Sequence, residues 1–156
     1  MAGTDGGGCV CPPTVVDRYA SRVSGPLRDR IDLWVSVPRL PPAALVARTE
    51  PEDSATVGAR VAAARARQLA RPPGRLNGRV GGRALRAAAG LDRHGIRRLV
   101  ELAEHERLSG RGTERLLRVA RTIADLRAAP GVEIADLDEA ARYRALDSRA
   151  AARLAV

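Results

Sequence analysis

At 156 residues the chain is long enough for one ordinary domain, which buries roughly 70% of the surface its unfolded form exposes. Its 27 basic residues are all arginine and face 18 acids, so the net charge of +9 attracts polyanions such as nucleotides, nucleic acid or an anionic membrane surface. With no Phe, and only Tyr19, Trp34 and Tyr143 as aromatics, the chain offers no stacking platform for single-stranded nucleic acid, and its Ala, Leu and Val suit closely packed helices.

The first residues, "MAGTDGGGCVCPP", have no apolar signal segment, and no later run approaches the ~18 apolar residues of a membrane span. The expected setting is cytoplasmic, with no membrane partner. Cys9 and Cys11 are too close in sequence to build a disulfide framework, which agrees with a reducing compartment. Residues 1–8 have nothing to pack, and disorder is expected there.

From Thr14 to about Ser24, Val15, Val16, Tyr19 and Val23 recur at helical spacing until Gly25-Pro26 stops the pattern. Pro26 opens a short turn carrying Leu27, Arg28, Asp29 and Arg30. Ile31, Leu33, Val35 and Val37 then alternate with Asp32, Trp34 and Ser36, the one convincing strand pattern, ended by Pro38. A single strand cannot satisfy its own backbone. It needs partner strands this sequence does not obviously supply, or it stays at a frayed edge.

After a linker, Thr49 and Glu52 have the spacing of a reciprocal cap, opening a helix to about Ala70 with Val57, Val61 and Ala64 on its apolar side. Arg60, Arg67 and Arg71 line another face, read as a solvated one. A short helix is expected over 83–89. Asp92 reads as the cap of a helix to about Arg107, with Ile96, Leu99, Val100 and Ala103 buried. Ser109 caps another helix, with Leu116, Val119, Ala120, Ile123 and Leu126 as core, until Pro130-Gly131. Asp136 and Glu139 repeat the cap spacing ahead of a last helix through Ala140, Tyr143 and Leu146. The C-terminal two-thirds is therefore an all-helical bundle with short loops between antiparallel neighbours. His94 and His105 stand alone, with no triad or metal pattern, and read as surface residues.

"RYASRVSGPLRDRIDLWVSVP", "EDSATVGARVAAARARQ", "RLLRVARTIADL" and "EAARYRAL" together resemble, in order, the C-terminal part of the magnesium-chelatase-like AAA+ ATPases of the ComM (YifB) type. The resemblance covers roughly residues 9–147. It implies a mainly α fold: the end of an AAA+ α/β core (one helix and one strand, 14–40), a linker (41–48) and a helical lid (49–150), after a leader (1–13) with a partial Cys motif. No G-x-x-x-x-G-K-[ST] can be written in a chain without lysine, so the phosphate-cradling Walker A loop is missing, and the segment by itself is not expected to hydrolyse ATP.

The resemblance also implies the site residues. Arg30 corresponds to the arginine finger that reaches the nucleotide of a neighbouring subunit, with Asp29 orienting it. Arg28 departs from the apolar residue usual in the family. Arg111 resembles the sensor 2 arginine that extends from the lid to the phosphates of its own subunit, with Arg121 as the other candidate. Cys9 and Cys11 resemble the second half of a four-cysteine motif, and two ligands do not make a structural zinc site. ATP and Mg2+ enter only through a complete parent ATPase. The implied partners are AAA+ core subunits in a hexameric ring and DNA, the family activity being ATP-driven branch migration in recombination and transformation. Two readings compete with this one: a stand-alone basic helical module that binds DNA through phosphates, and an inert fragment.

Overall fold

The computed structural model describes residues 11–22, 30–35, 37, 40–43 and 52–153. The expected disorder of residues 1–8, Cys9, the Arg28-Asp29 pair and Thr49 lie outside the described residues. The described residues form α1 (Pro13–Ala20), α2 (Ser54–Ala70), a 3-10 turn (Asn77–Arg79), α3 (Gly82–Ala89), α4 (Arg93–His105), α5 (Gly110–Leu126) and α6 (Ile134–Arg153).

Three helices begin where a side-chain oxygen meets an otherwise unpaired backbone amide. Asp92 Oδ1 accepts from the Gly95 N–H at 2.7 Å to start α4, and Ser109 Oγ accepts from the Gly112 N–H at 3.1 Å to start α5, both as the sequence predicts. The start of α2 differs from the prediction. Asp53, not Thr49, is the cap, accepting from the Thr56 N–H at 2.7 Å, while Glu52 grips Arg60 with both oxygens at 2.7 and 3.0 Å. The hydrogen bonds from Thr56 hold the Asp53 carboxyl below its usual pKa. At α6 the predicted cap is displaced as well: the helix starts at Ile134, and Asp136 reaches back to accept from the Glu133 N–H at 2.8 Å. That is the reverse arm of a capping box, three residues earlier than expected.

Helix ends turn through the left-handed region. Gly90 does so at φ 60° without steric penalty, whereas Arg107 (φ 50°) and Ala128 (φ 62°) do so as ordinary residues. Ala128 ends α5 ahead of Pro130, and the Ala129 N–H closes the turn onto the Ala124 carbonyl at 2.9 Å.

Helix α5 is the axis of the bundle: α2, α3, α4, α6 and the 3-10 turn all pack on it, and α4 also packs on α6. Its buried apolar face carries large residues first and small ones after them, Leu116 and Leu117 and then Ala120 and Ala124, against Leu85 and Ala89 of α3 and Leu137, Ala140 and Ala141 of α6. Alanines at the crossings let the axes approach closely while the leucines fill the space between them. The predicted core of α4 is rotated. Ile96 and Val100 are exposed, Leu102 is buried, and Leu99 packs partly against the core. Because α4 makes its main contacts with α5 and α6, its apolar stripe is wider than its contact. Val57, Val61 and Leu126, also predicted as core, are exposed, while Ala64 is buried.

No β-ladder occurs among the described residues, and Ile31–Val35 run as non-helical chain. Ile31 is half-buried, and from Asp32 onwards the alternation survives with its faces exchanged. Leu33, Val35 and Val37 are 49%, 64% and 85% exposed, while Asp32 and Trp34 turn towards the bundle. Asp32 lies 3.4 Å from Arg115 of α5, and the Trp34 backbone N–H donates to the Tyr143 carbonyl of α6 at 3.1 Å. With no neighbouring strand to receive the aliphatic face, the polar contacts of the other face decide which side meets the helices.

Candidate nucleotide-facing arginines

The arginines divide by what their guanidinium groups touch. Arg30 lies in a turn just ahead of the docked segment and is exposed. Arg111 occupies the first turn of α5 and is also exposed. Neither makes an ion pair or hydrogen bond among the described residues. Arg115, one helical turn beyond Arg111, meets Asp32. The segment that follows Arg30 therefore rests on the same helix that carries Arg111. Two guanidinium groups that stay charged and carry a rigid fork of donors are thus left open to solvent.

Arg121 is placed differently, and its candidacy as a nucleotide ligand is corrected. It is 1% exposed. Its Nη2 donates to Asp125 Oδ1 at 2.7 Å and to the Ala129 carbonyl at 2.8 Å, while Nη1 donates to the carbonyls of Pro130 at 3.0 Å and Ala88 at 3.3 Å. It ties the end of α3 to the turn between α5 and α6. A phosphate cannot reach it without the bundle opening.

Its partner Asp125 is fully buried and is the hub of a network that sequence reasoning missed. Arg71 grips it bidentately at 2.9 and 3.0 Å, and Asn77 Nδ2 donates to it at 2.8 Å. Arg67 donates to its backbone carbonyl at 3.1 Å. Asn77 in turn takes Arg71 on its own carbonyl oxygen at 3.0 Å, and its backbone N–H donates to Gln68 at 3.0 Å. Burial by itself pushes the Asp125 carboxyl up, but the hydrogen bonds from Arg71, Arg121 and Asn77 outweigh it and hold the pKa below the usual value. Two of the three arginines read as a solvated face, Arg67 and Arg71, are thus the clasp that closes α2 over the bundle, and only Arg60 remains a surface pair. The four-residue spacing of Arg121 and Asp125 within "ARTIADL" was the available signal.

A second clasp lies at the α5–α6 turn. Arg127 meets Asp136 with Nε at 3.1 Å and Nη2 at 2.9 Å, and Glu133 at 3.2 Å, so Asp136 and then Glu133 raise its pKa. On α4, Arg98 pairs with Asp138 at 2.8 Å and Glu101 at 3.1 Å. Both histidines are exposed, as expected. Cys11 is exposed, and among the described residues no group of three or more His, Cys, Asp or Glu could hold a metal ion. No helix among them is long and apolar enough to cross a membrane.

The family model described as magnesium chelatase, subunit ChlI C-terminal, matches residues 51–144, and that for magnesium chelatase, subunit ChlI, matches residues 1–45. The chain is 42% identical over 138 residues to the uncharacterized protein YifB of Salmonella typhimurium, which covers 88% of this chain and 27% of that relative. It is 39% identical over 130 residues to an uncharacterized protein of Mycobacterium tuberculosis (80% and 26% of the two chains). To the competence protein ComM of Haemophilus influenzae it is 34% identical over 135 residues (86% and 26%). The chain spans about a quarter of the length of these relatives. With more than half of its residues under the C-terminal model, and its neighbours of the YifB and ComM type, the chain belongs to the magnesium chelatase subunit ChlI C-terminal family.

Proposed function

We propose that this chain is the lid and arginine-finger portion of a ring-forming AAA+ ATPase that acts on DNA, with residues 14–40 ending the ATP-binding core and residues 49–150 forming the lid. Arg30 supplies charge to the nucleotide of a neighbouring subunit, with Asp29 orienting it, and Arg111 contacts the phosphates from the lid. Phosphoryl transfer is catalysed largely by positioning and by positive charge set against the developing negative charge, a task for which a guanidinium fork is suited. The observation that carries this reading is the division of labour among the arginines. Arg71, Arg121 and Arg127 are spent on carboxylates, whereas Arg30 and Arg111 are exposed and meet no acid among the described residues.

ATP and Mg2+ belong to the complete ATPase, and the residues present here contribute guanidinium groups only. The ion pair between Asp32 and Arg115 supports a mechanical link, since a movement of α5 is passed to the segment beside Arg30. A cytoplasmic setting and a ring of like subunits complete the proposal.

The test mixes the purified 156-residue chain with an ATP-binding core polypeptide of the same family and follows phosphate release. The chain alone turns over no ATP, and the mixture exceeds the core alone. Arg30→Ala and Arg111→Ala each remove the stimulation, while Arg60→Ala leaves it intact. Stimulation that survives both substitutions overturns the assignment.

A further inference from the structure

The stretch from Ile31 to Val37 sits on the bundle at odds with its own pattern. Leu33, Val35 and Val37, the face that a strand buries, are turned to solvent, so the seat gains little from apolar burial. The inward face is no better served. Asp32 Oδ1 lies 3.4 Å from Arg115 Nε without a hydrogen bond to it, and Trp34 Nε1 is buried with no acceptor among the described residues. On α6, Arg144 is 8% exposed and its Nη1 has no partner among the described residues. Arg144 follows Tyr143, whose carbonyl takes the Trp34 backbone N–H at 3.1 Å. Three of the four buried side-chain polar atoms left unpaired among the described residues therefore belong to this stretch or to the neighbour of its backbone anchor; the fourth is Arg121 Nε, beside Asp125.

Asp32 and Trp34 are two residues apart and touch Arg115 of α5 and Tyr143 of α6, so the stretch bridges the two helices. Burying a polar atom without a partner costs free energy, and no apolar contact of Leu33, Val35 or Val37 offsets it. A docked form opposed by both its polar and its apolar groups lies close in free energy to a form in which the stretch is free. The bundle does not depend on the seat. Its core runs from Val80 to Ala141, and no residue of 31–37 belongs to that core or packs against it as a partly buried apolar side chain. Residues 38–53 separate the stretch from α2, and sixteen residues reach up to about 50 Å, so release requires no helix to unwind.

We infer that residues 31–37 are a detachable strap. A docked state, held by Asp32 on Arg115 and by the Trp34 N–H on Tyr143, exchanges with a released state while the helices stay folded. Docked, Asp32 is an internal counter-ion that competes with any external anion for Arg115. Released, the strap frees Arg115, carries Trp34 into solvent and uncouples the chain beside Arg30 from α5. The strap rests on these contacts alone and holds whether or not Arg30 meets a nucleotide.

Trp34 is the only tryptophan of the chain, so its fluorescence reports the strap, while far-ultraviolet circular dichroism reports the helices. The full chain is titrated with urea, and both signals are followed together with acrylamide quenching of Trp34. Two separate transitions are expected: Trp34 reaches the emission and quenching of a solvated indole at a lower urea concentration than the one at which helix is lost. Without urea, Arg115→Gln should shift the docked-to-released ratio towards release by about two- to fivefold, the range a pair of this exposure supplies, and quenching should rise with it. Arg97→Gln, which removes an exposed arginine of α4, should leave quenching unchanged. Coincident transitions of Trp34 and helix, or a Trp34 already solvated before urea is added, overturn the strap. So does quenching in Arg115→Gln equal to that of the parent chain, or a loss of helix in that variant, which would make the contact part of the bundle. The phosphate-release assay stands apart, since failure of the Arg30 effect there leaves the two urea transitions in place.

Discussion

The bundle from Glu52 to Arg144 and the segment from Arg30 to Leu40 treat the same chemistry in opposite ways. In the bundle, leucines and alanines are buried around α5, and its most buried charges, Asp125, Arg121 and Asp136, are hydrogen-bonded. In the segment, aliphatic side chains face solvent while Asp32 and Trp34 turn inwards, and Asp32 Oδ1 and Trp34 Nε1 are buried without hydrogen bonds among the described residues. Arg144 Nη1, on the helix the segment rests against, shares that condition. The bundle thus pairs most of its buried polar groups, with Arg121 Nε and Arg144 Nη1 as the exceptions among the described residues. The segment makes one backbone hydrogen bond and one long ion pair to it, which is weak attachment for a stretch patterned as a strand.

The comparison breaks first at the Asp125 hub. Asp125→Ala leaves Arg71 and Arg121 without their counter-charge, and the cost expected for an orphaned buried partner is about 3–5 kcal/mol, read as a large drop in the chemical denaturation midpoint. Leu137→Ala removes a fully buried side chain from the α5–α6 contact and should cost about 2–5 kcal/mol in the same measurement.

Acid sharpens the contrast further. Because the Asp125 pKa is lowered in the folded chain, its contribution is fully present above the unfolded value of 3.8 and is lost as pH falls through the lower folded value. Stability measured by thermal melting should therefore decline below about pH 4. The decline should be shallower in Asp125→Asn, which no longer has that proton to bind. Ser109→Ala removes the cap of α5 at an expected cost of about 1 kcal/mol. Smallest of all, Asp32→Ala should change bundle stability by no more than about 1 kcal/mol, because a partly exposed pair at 3.4 Å contributes little. A loss as large as that of Asp125→Ala would make the segment part of the folding unit and erase the distinction between the two regions.

Much of the bundle was legible in advance for a local reason. Asp92 and Ser109 are strong caps placed just ahead of helical apolar periodicity, so the starts of α4 and α5 follow from neighbouring residues alone. Two expected cap positions shifted: Asp53 directly precedes α2 and caps it in place of Thr49, and Asp136 serves α6 from inside its first turn instead of ahead of it. The candidate site was legible only in part. An arginine's type and spacing do not reveal whether it meets a carboxylate far along the chain, and Arg71 and Asp125 are 54 residues apart.

What the sequence determined by itself is the helical class, the order of its helices and the excess of arginine, since propensity, capping and net charge are local or additive. Tertiary structure decided which arginines remain available. Burial makes an unpaired guanidinium costly, and packing brings Arg71 and Arg121 to Asp125 and backbone carbonyls, whereas Arg30 and Arg111 are among the arginines left outside without an acid among the described residues.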